Sequence, residues 1–457
     1  MNVSRGTVAT VEVLRLASGG DAIAKFPTGM TVFLDRGLPG DRVEVTVTEV
    51  RKRFARAHVL SWVEEGPLRA ASGCAVSDRC GGCRFQSTRY ADELTLKVDS
   101  LSQNMARLAR DIEWPTPAVF GSPSEEGYRE RARFRVDQRG RTGFLAASSD
   151  ELVVSERCPV VHPSIDAARA VIGPVLADLE GVTDVFIERD RVRGGAAVTI
   201  AFTPDHYVEA LRTMPARLER CKPMHDVTTV ATRTSRRVKG VIGDAKVIRE
   251  RKVGDRVVSV FDGVGAFSQA NASLNEILVA HVAELVGSMP NEGAPVLDLF
   301  CGSGNLTFPL LALGGAVTGV EAAPPAVEAA RAAWDELLEK EAEAAGLEAS
   351  AHRSAQPQLR FLCHDLAAGL PEATADVPNW RAVVLDPPRE GISPRLLRAV
   401  AALGAPVVYV SCDPPAFARD ASRFAELGYR LERWAAFDMY ARTAHIEIVA
   451  LLIPPDQ

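Results

Sequence analysis

The sequence predicts a multidomain α/β protein in three parts: an N-terminal β-barrel of the oligonucleotide-binding type over 1–65, a central α+β domain over 66–262, and a C-terminal Rossmann-like domain over 263–457. Three observations predict it. Short alternating strands come first, a cysteine-rich loop and mixed segments follow, and strands then alternate with helices. A length of 457 residues also exceeds what one core usually supports.

The N-terminal part has the pattern of a small barrel. Segments 7–14, 30–34 and 42–50 are rich in β-branched residues and are separated by turns containing glycine or proline. In the third segment, valines at every second position give one buried and one solvated face. Barrels of this kind often bind oligonucleotides, and a basic stretch with one aromatic, 51–56, follows directly.

The central part combines a cysteine loop, a helix and strands. A helix is predicted over 89–109, and strands over 131–136, 184–188 and 196–202. Two basic stretches interrupt a chain whose net charge is −6: residues 128–141 hold six arginines, and residues 233–256 hold nine basic against three acidic side chains. Together with the stretch 51–56, they predict an RNA-binding surface on which Phe54, Tyr128 and Phe134 could stack on bases; a solvated charged face is the alternative.

The C-terminal part alternates strands with helices. Short Val- and Leu-rich runs predict buried parallel strands, and the Ala- and Glu-rich segment 322–349 predicts a solvated helix. The predicted strands are 295–300, 316–320, 359–363, 381–386 and 406–411. Ligands of such sheets bind at the carboxyl ends of the strands, so residues directly after each run are the candidate site.

The first strand of this part leads into a glycine loop, Asp298-Leu-Phe-Cys-Gly-Ser-Gly304. Glycines at such a turn let the backbone approach a ligand closely. Glu321 ends the second strand about 20 residues later, where a carboxylate binds ribose hydroxyls, and His364-Asp365 ends the third. A Rossmann-like fold binding some other ligand remains the alternative at this point.

Two further motifs end the fourth and fifth strands. They are Asp386-Pro-Pro-Arg389 and Ser411-Cys-Asp-Pro414. Cys412 lies on the turn between a strand and two prolines, beside the expected cofactor, rather than inside a strand where a structural thiol would lie. This position favours a nucleophile.

Together these motifs resemble the RNA uracil-5-methyltransferase family, a group of class I S-adenosylmethionine-dependent enzymes. His445-Ile-Glu447 and Ala266-Phe-Ser-Gln-Ala-Asn271 match two more family elements, and the first 64 residues are similar to the TRAM domain. The resemblance implies that Cys412 is the nucleophile and Glu447 the proton acceptor. It implies contacts to the cofactor or target base from Gln269, Phe300, Gly302, Gly304, Asn305, Glu321, Asp365 and Asp386. At Asp365 the family often has Asn.

The clustered cysteines have the spacing C-x5-C-x2-C, at Cys74, Cys80 and Cys83. With a distant fourth cysteine, this is similar to the 4Fe-4S site of one branch of the family, and Cys158 is the best fourth candidate, with Cys221 as competitor. Four thiolates would equally suit zinc. Ala75 stands where the family loop often has Pro. The first spacing of five argues against radical methylthiotransferases, which use C-x3-C-x2-C.

The predicted function is methyl transfer from S-adenosylmethionine to C5 of a uridine in RNA. By analogy with the cluster-bearing branch, ribosomal RNA is favoured over transfer RNA. A cytosine-5 RNA methyltransferase is less favoured, since Arg389 follows Pro388 where that class has cysteine, and a non-catalytic RNA-binding protein would not need Cys412 and Glu447 together. We expect a cytoplasmic protein with no membrane partner, because neither a signal segment nor an apolar run of about 18 residues occurs. A monomer is the simplest expectation.

Overall fold

A computed structural model describes residues 3–17, 19–147, 149–220, 227–234, 237–243, 246–356, 358–374 and 377–455. Cys221 and parts of the basic stretch 233–256 lie outside these residues.

The N-terminal part is a closed five-stranded barrel in the order β1-β2-β3-β5-β4. Its strands are β1 (Val8–Leu16), β2 (Ala22–Lys25), β3 (Thr31–Leu34), β4 (Arg42–Val50) and β5 (Phe54–Glu64). The predicted alternation holds, because Val43, Val45 and Val47 are all buried within the barrel. The predicted barrel is therefore confirmed.

The central part is built on a seven-stranded sheet in the order β13-β12-β11-β10-β7-β8-β9. Helix α1 (Tyr90–Leu108) precedes it, and the sheet's strands are β7 (Arg131–Val136), β8 (Thr142–Leu145), β9 (Leu152–Val154), β10 (Val182–Arg189), β11 (Ala196–Phe202), β12 (Val227–Thr234) and β13 (Arg237–Gly243). Helices α2 (Pro163–Leu176) and α3 (Tyr207–Arg220) pack on one face, and a hairpin, β14 (Lys246–Val253) and β15 (Arg256–Gly263), lies over part of the other.

The C-terminal part is an eight-stranded sheet in the order β18-β17-β16-β19-β20-β22-β21-β6. Its strands are β6 (Ala118–Phe120), β16 (Val296–Leu299), β17 (Val317–Glu321), β18 (Leu359–Cys363), β19 (Ala382–Leu385), β20 (Val407–Ser411), β21 (Arg430–Phe437) and β22 (Glu447–Ile453). All five strands predicted here are present and parallel to one another. Strand β6 comes from ahead of the central sheet and pairs with β21.

Helices cover both faces of this sheet. They are α4 (Ala272–Gly287), α5 (Thr307–Leu310), α6 (Pro324–Ala345), α7 (Ala349–Ala355), α8 (Pro394–Ala401) and α9 (Pro414–Glu426). Side chains at alternate positions of β16, β19 and β20 enter two separate cores, one on each face. This burial on both faces explains why the strands read as continuous apolar runs.

Candidate active site

The glycine loop after β16 carries backbone conformations that leave room for a ligand. Phe300 has φ of 64°, which is uncommon for a residue with a side chain and costs about 1–3 kcal/mol. At Gly302, also at positive φ, a Cβ atom would meet no atom within 4 Å. Among the described residues, the space beside Gly302 is therefore open.

Two carboxylates flank this loop. Glu321 accepts hydrogen bonds from the backbone N–H of Gly302 (3.1 Å) and of Ala323 (2.8 Å), so its side chain is held against the loop. Asp298 is fully buried and accepts from the Thr307 hydroxyl at 2.6 Å, but its Oδ1 atom has no partner among the described residues. Burial raises the pKa of Asp298 to about 7, and the charges of Asp386 and Glu321 add to the effect.

A cavity of about 620 Å³ lies beside the loop, between the hairpin β14–β15 and helix α4, and both Gln269 and Asn305 line it. The side-chain amides of Asn305 and Asn275 exchange two hydrogen bonds of 3.0 Å. The buried Gln269 Oε1 atom has no described partner. A polar ligand in this cavity would satisfy that atom.

Cys412, Asp386 and Glu447 meet at the end of the fourth and fifth parallel strands. Strand β22 is antiparallel to β20 with Ser411 opposite Ile448, which brings the first residue of β22, Glu447, beside Cys412. Burial and the Asp386 charge raise the pKa of Glu447 to about 8, and burial raises that of Asp386 to about 7. Burial also raises the pKa of the Cys412 thiol, as do the two carboxylates, whereas Arg389 lowers it.

Cys412 opens into a second cavity, of about 230 Å³, whose walls come from three parts of the chain. Arg389 and His445 belong to the C-terminal part, Lys97 to α1, and Gly20 to the first turn of the barrel. A Cβ atom at Gly20 would lie 2.7 Å from the Ala444 Cβ atom, so only glycine permits this close approach of barrel and active site.

The segment 438–446, which leads into Glu447, is fixed by buried ion pairs. The Lys97 ammonium lies 2.6 Å from Glu93 Oε1 and 2.8 Å from Asp438 Oδ1, and all three side chains are nearly inaccessible to solvent. Glu93 in turn accepts from the backbone N–H of Arg442, which has φ of 70°. The geometry of Glu447 therefore depends on helix α1.

Asp365 is separate from these groups. Its side chain is exposed and accepts a hydrogen bond from the backbone N–H of Ala367 (2.9 Å). No described contact joins it to the glycine loop, so its role stays a prediction.

The cysteines of the metal prediction lie near one another. Burial raises the pKa of Cys83 to about 12, and the charges of Cys158, Cys80 and Cys74 add to it. All four thiols are free of disulfides. Within the described residues, however, no group of three or more His, Cys, Asp or Glu side chains is arranged to hold a metal ion.

Comparison with known proteins identifies the family. The protein-family model described as tRNA (Uracil-5-)-methyltransferase matches residues 198–454, which is more than half of the chain. The family model of the TRAM domain matches residues 2–60. The chain belongs to the tRNA (uracil-5-)-methyltransferase family. It is an RNA uracil-5-methyltransferase that uses S-adenosylmethionine, with an N-terminal TRAM domain.

Curated relatives cover nearly the whole chain. The 23S rRNA (uracil(1939)-C(5))-methyltransferase RlmD of Chromohalobacter salexigens is 35% identical over 98% of this chain and 89% of its own length. The enzyme of the same name from Pseudomonas aeruginosa PAO1 is 32% identical over 98% of this chain and 94% of its own.

A solved structure shares the fold. The Pyrococcus abyssi tRNA (uracil-54, C5)-methyltransferase, in complex with S-adenosyl-L-homocysteine, has a TM-score of 0.67 and 21% identity, covering 97% of this chain and 100% of that one. At this identity the likeness shows the fold alone.

The residues present suit S-adenosylmethionine, because unpartnered buried oxygens and an open glycine loop lie along one sheet edge. No helix in the described ranges is long and apolar enough to cross a membrane.

The sequence missed several residues of this region and misassigned two. Asn275 carries no local signal, and neither does the ion pair of Lys97 with Asp438, which lies 341 positions away. The prediction that Tyr128 and Phe134 stack on bases is wrong, because both side chains are buried. The Tyr128 hydroxyl donates a hydrogen bond to the Ala441 carbonyl. Phe134 alternates with outward arginines on β7 and therefore faces the core.

Proposed function

We propose that the chain methylates C5 of a uridine in ribosomal RNA. Two curated relatives, both named as 23S rRNA methyltransferases, support ribosomal RNA as the substrate. These relatives resemble this chain over nearly all of its length. The observation that carries the chemistry is the meeting of a thiol, Cys412, with a buried carboxyl, Glu447, and a half-buried one, Asp386, at the sheet edge that also holds the glycine loop.

The uracil ring dictates the first step. C5 is a weak nucleophile, so Cys412 adds as a thiolate to C6 and leaves C5 with enolate character. Burial opposes loss of the thiol proton, and Arg389 favours it. Burial and the adjacent carboxylates disfavour a free thiolate, so Cys412 stays mainly a thiol and loses its proton as its sulfur bonds to C6. When bound, S-adenosylmethionine would supply a methyl group to C5, and its sulfonium sulfur would leave as the thioether S-adenosyl-L-homocysteine.

Glu447 completes the cycle. After methylation, C5 still holds its proton, and its removal lets the bond between C6 and Cys412 break. With a pKa of about 8, Glu447 is mainly protonated at neutral pH, and its ionised form is a stronger base than an exposed glutamate. That ionised form is the one that removes the carbon-bound proton. The Glu447 Oε2 atom has no hydrogen-bond partner in the part of the chain that the structure describes, so it can accept that proton.

The remaining predicted residues have roles in binding. Glu321 is proposed to bind the ribose hydroxyls, and Phe300, Gly302 and Gly304 to line the cofactor. Gln269, Asn305, Asp365 and Asp386 are proposed to contact the cofactor or the target base. Support comes from the open loop and from the unpartnered Gln269 oxygen. The proposed domains are 1–65, 66–262 and 263–457, and the base must leave its stack to reach Cys412.

A 4Fe-4S cluster held by Cys74, Cys80, Cys83 and Cys158 is part of the proposal. The donor chemistry, four thiols, suits the group, although no three of the described side chains are arranged around a metal ion. The charges of the other three thiols act on Cys83, which packs against the core that contains Cys158. Binding requires thiolates, and the positive charge of the irons would offset the repulsion among them. The backbone N–H groups of Arg84 and Phe85 donate to the Arg442 carbonyl, so this loop also contacts segment 438–446.

Methyl transfer from isotopically labelled S-adenosylmethionine to unmodified ribosomal RNA and transfer RNA tests the function. Labelled 5-methyluridine in ribosomal RNA, identified by mass spectrometry, is the expected result. Label in transfer RNA alone would show that transfer RNA, not ribosomal RNA, is the substrate. Label on cytidine or adenosine would refute the uracil mechanism.

The cluster has its own test. Anaerobically purified protein should contain about four irons per chain. The substitution Cys158→Ser should reduce that content, whereas Cys363→Ser, at an exposed cysteine, should not. Full iron retention in Cys158→Ser would indicate that Cys221, not Cys158, is the fourth ligand. Zinc in place of iron would refute the iron–sulfur cluster.

A further inference from the structure

One face of the central sheet carries an unusual group of side chains. In-register pairs put Arg133 of β7 opposite Phe186 of β10, and Arg135 opposite Asp184. On β12, Arg233 pairs with Ala201 of β11 and so shares the same face. We call Arg133, Arg135, Phe186 and Arg233 the arginine face; the helices α2 and α3 cover the opposite side of the sheet.

Phe186 lies between two guanidinium groups. The Arg133 guanidinium is 5.3 Å from the ring centroid, and that of Arg233 is 4.0 Å from it. Arg233 reaches over β11 because the residues of β11 on this face, Thr199 and Ala201, are small. One aromatic ring and two planar cations therefore lie in contact on this face.

This face has a surplus of positive charge. Asp184 is the carboxylate among the in-register pairs here, and it is shared between Arg133 (2.7 Å) and Arg135 (3.2 Å). Three guanidinium groups thus face one carboxylate. The Nε atom of Arg233 is buried and has no hydrogen-bond partner among the described residues. An anionic partner would offset this imbalance.

The arginine face continues towards the active site. Arg131, the next outward arginine of β7, donates to the Ala266 carbonyl at 2.8 Å and lies 5.8 Å from the ring of Phe267, which is 74% exposed. A Cβ atom at Gly265 would lie 3.8 Å from Thr199 Oγ1, the cross-strand neighbour of Phe186. The segment that leads to Gln269 therefore borders the arginine face.

We propose that the arginine face binds a single-stranded segment of the substrate RNA next to the target uridine. Bases stack on Phe186 and on the guanidinium planes, and phosphates pair with the arginines. This inference rests on the proposed function for its partner and adds the surface that holds it.

Binding of a fluorescein-labelled oligouridine of about twelve nucleotides, followed by fluorescence anisotropy at several salt concentrations, tests the proposal. Phe186→Leu should weaken binding on the order of tenfold without changing the salt dependence, because it removes stacking and no charge. Arg233→Gln should reduce the slope of log affinity against log salt by about 0.7, because it removes one phosphate contact.

Arg212→Gln is the matched control, since it removes one arginine, paired with Glu209, from helix α3 on the other side of the sheet. It should change neither affinity nor slope. Any of three results would overturn the proposal: both test variants bind as tightly as the wild type, all three variants are weakened equally, or the wild type does not bind oligouridine. Assaying 5-methyluridine formation by the wild type in parallel separates the two claims: methylation with unchanged variant binding refutes this surface alone, and variant-specific binding without methylation refutes the proposed function alone.

Discussion

Replacing Glu447 with Gln should stabilise the protein relative to the wild type, and this gain should grow as the pH rises from acid to alkaline. The Glu447 side chain is 4% exposed, and burial with the neighbouring Asp386 charge raises its pKa from 4.5 to about 8. Gln has the same shape as a protonated Glu and does not titrate. The two proteins should therefore differ least at acid pH, where Glu447 is protonated in both the folded and the unfolded chain.

The magnitude follows from the pKa difference between the folded and unfolded states. The folded chain holds the Glu447 proton up to about pH 8, whereas the unfolded chain releases it near 4.5. The free energy of unfolding of the wild type thus falls as pH rises through this window, by about 1.4 kcal/mol per pH unit. Over 3.5 units this amounts to roughly 5 kcal/mol, which Glu447→Gln should avoid.

Urea denaturation of both proteins at pH 5, 7 and 9 measures the difference. Glu390→Gln, at an exposed glutamate, is the control and should show no pH-dependent difference from the wild type. A constant gap between Glu447→Gln and the wild type from pH 5 to 9 would refute the assignment of a buried, protonated carboxyl. With RNA and S-adenosylmethionine, Glu447→Gln should also accumulate a protein–RNA adduct on a denaturing gel, and its absence would indicate another base.

Three further substitutions test the site and its supports. Cys412→Ala should abolish turnover and leave the calorimetric affinity for S-adenosylmethionine nearly intact; residual methylation would exclude it as nucleophile. Lys97→Met leaves Asp438 buried without its cation and Glu93 with Arg442 alone, and it should lower the free energy of unfolding by about 3–5 kcal/mol in urea titrations; a loss below 1 kcal/mol would show that the pairs contribute little. Gly20→Ala and Gly6→Ala both place a side chain at positive φ, so both should lose some stability. Only the Gly20→Ala side chain would meet Ala444, so only this variant should also slow methylation.

The sequence predicted the strands best where burial dictates composition. Buried parallel strands are apolar throughout, so all five C-terminal strands were recognisable, as was the chain's order of barrel, mixed region and strand–helix alternation. The barrel alternation was equally clear, since its valines enter a closed core. Residues at the carboxyl ends of strands followed directly, because parallel strands bring those ends to one edge.

Base-stacking aromatics were predicted poorly, because proximity in sequence was taken for proximity on a face. Phe134 lies between Arg133 and Arg135 in the chain, yet the alternation of a strand sends it to the opposite side. The aromatic that does share a face with these arginines, Phe186, is about 50 residues away and reaches them through strand pairing. Applying the two-residue period to β7 would have excluded Phe134; finding Phe186 needed the register.

The Cys412 cavity shows why such a site cannot be read from its motifs alone. Cys412 and His445 belong to the C-terminal part, but Lys97 comes from α1 and Gly20 from the barrel. Lys97 also holds Asp438 at the start of the segment that ends at Glu447, so one side chain both lines the cavity and fixes the approach to the proposed base. The motifs specify which groups react, whereas the distances between them depend on docking of barrel, helix and sheet. Loosening α1 should therefore impair Glu447 and Cys412 together, even though neither residue is changed.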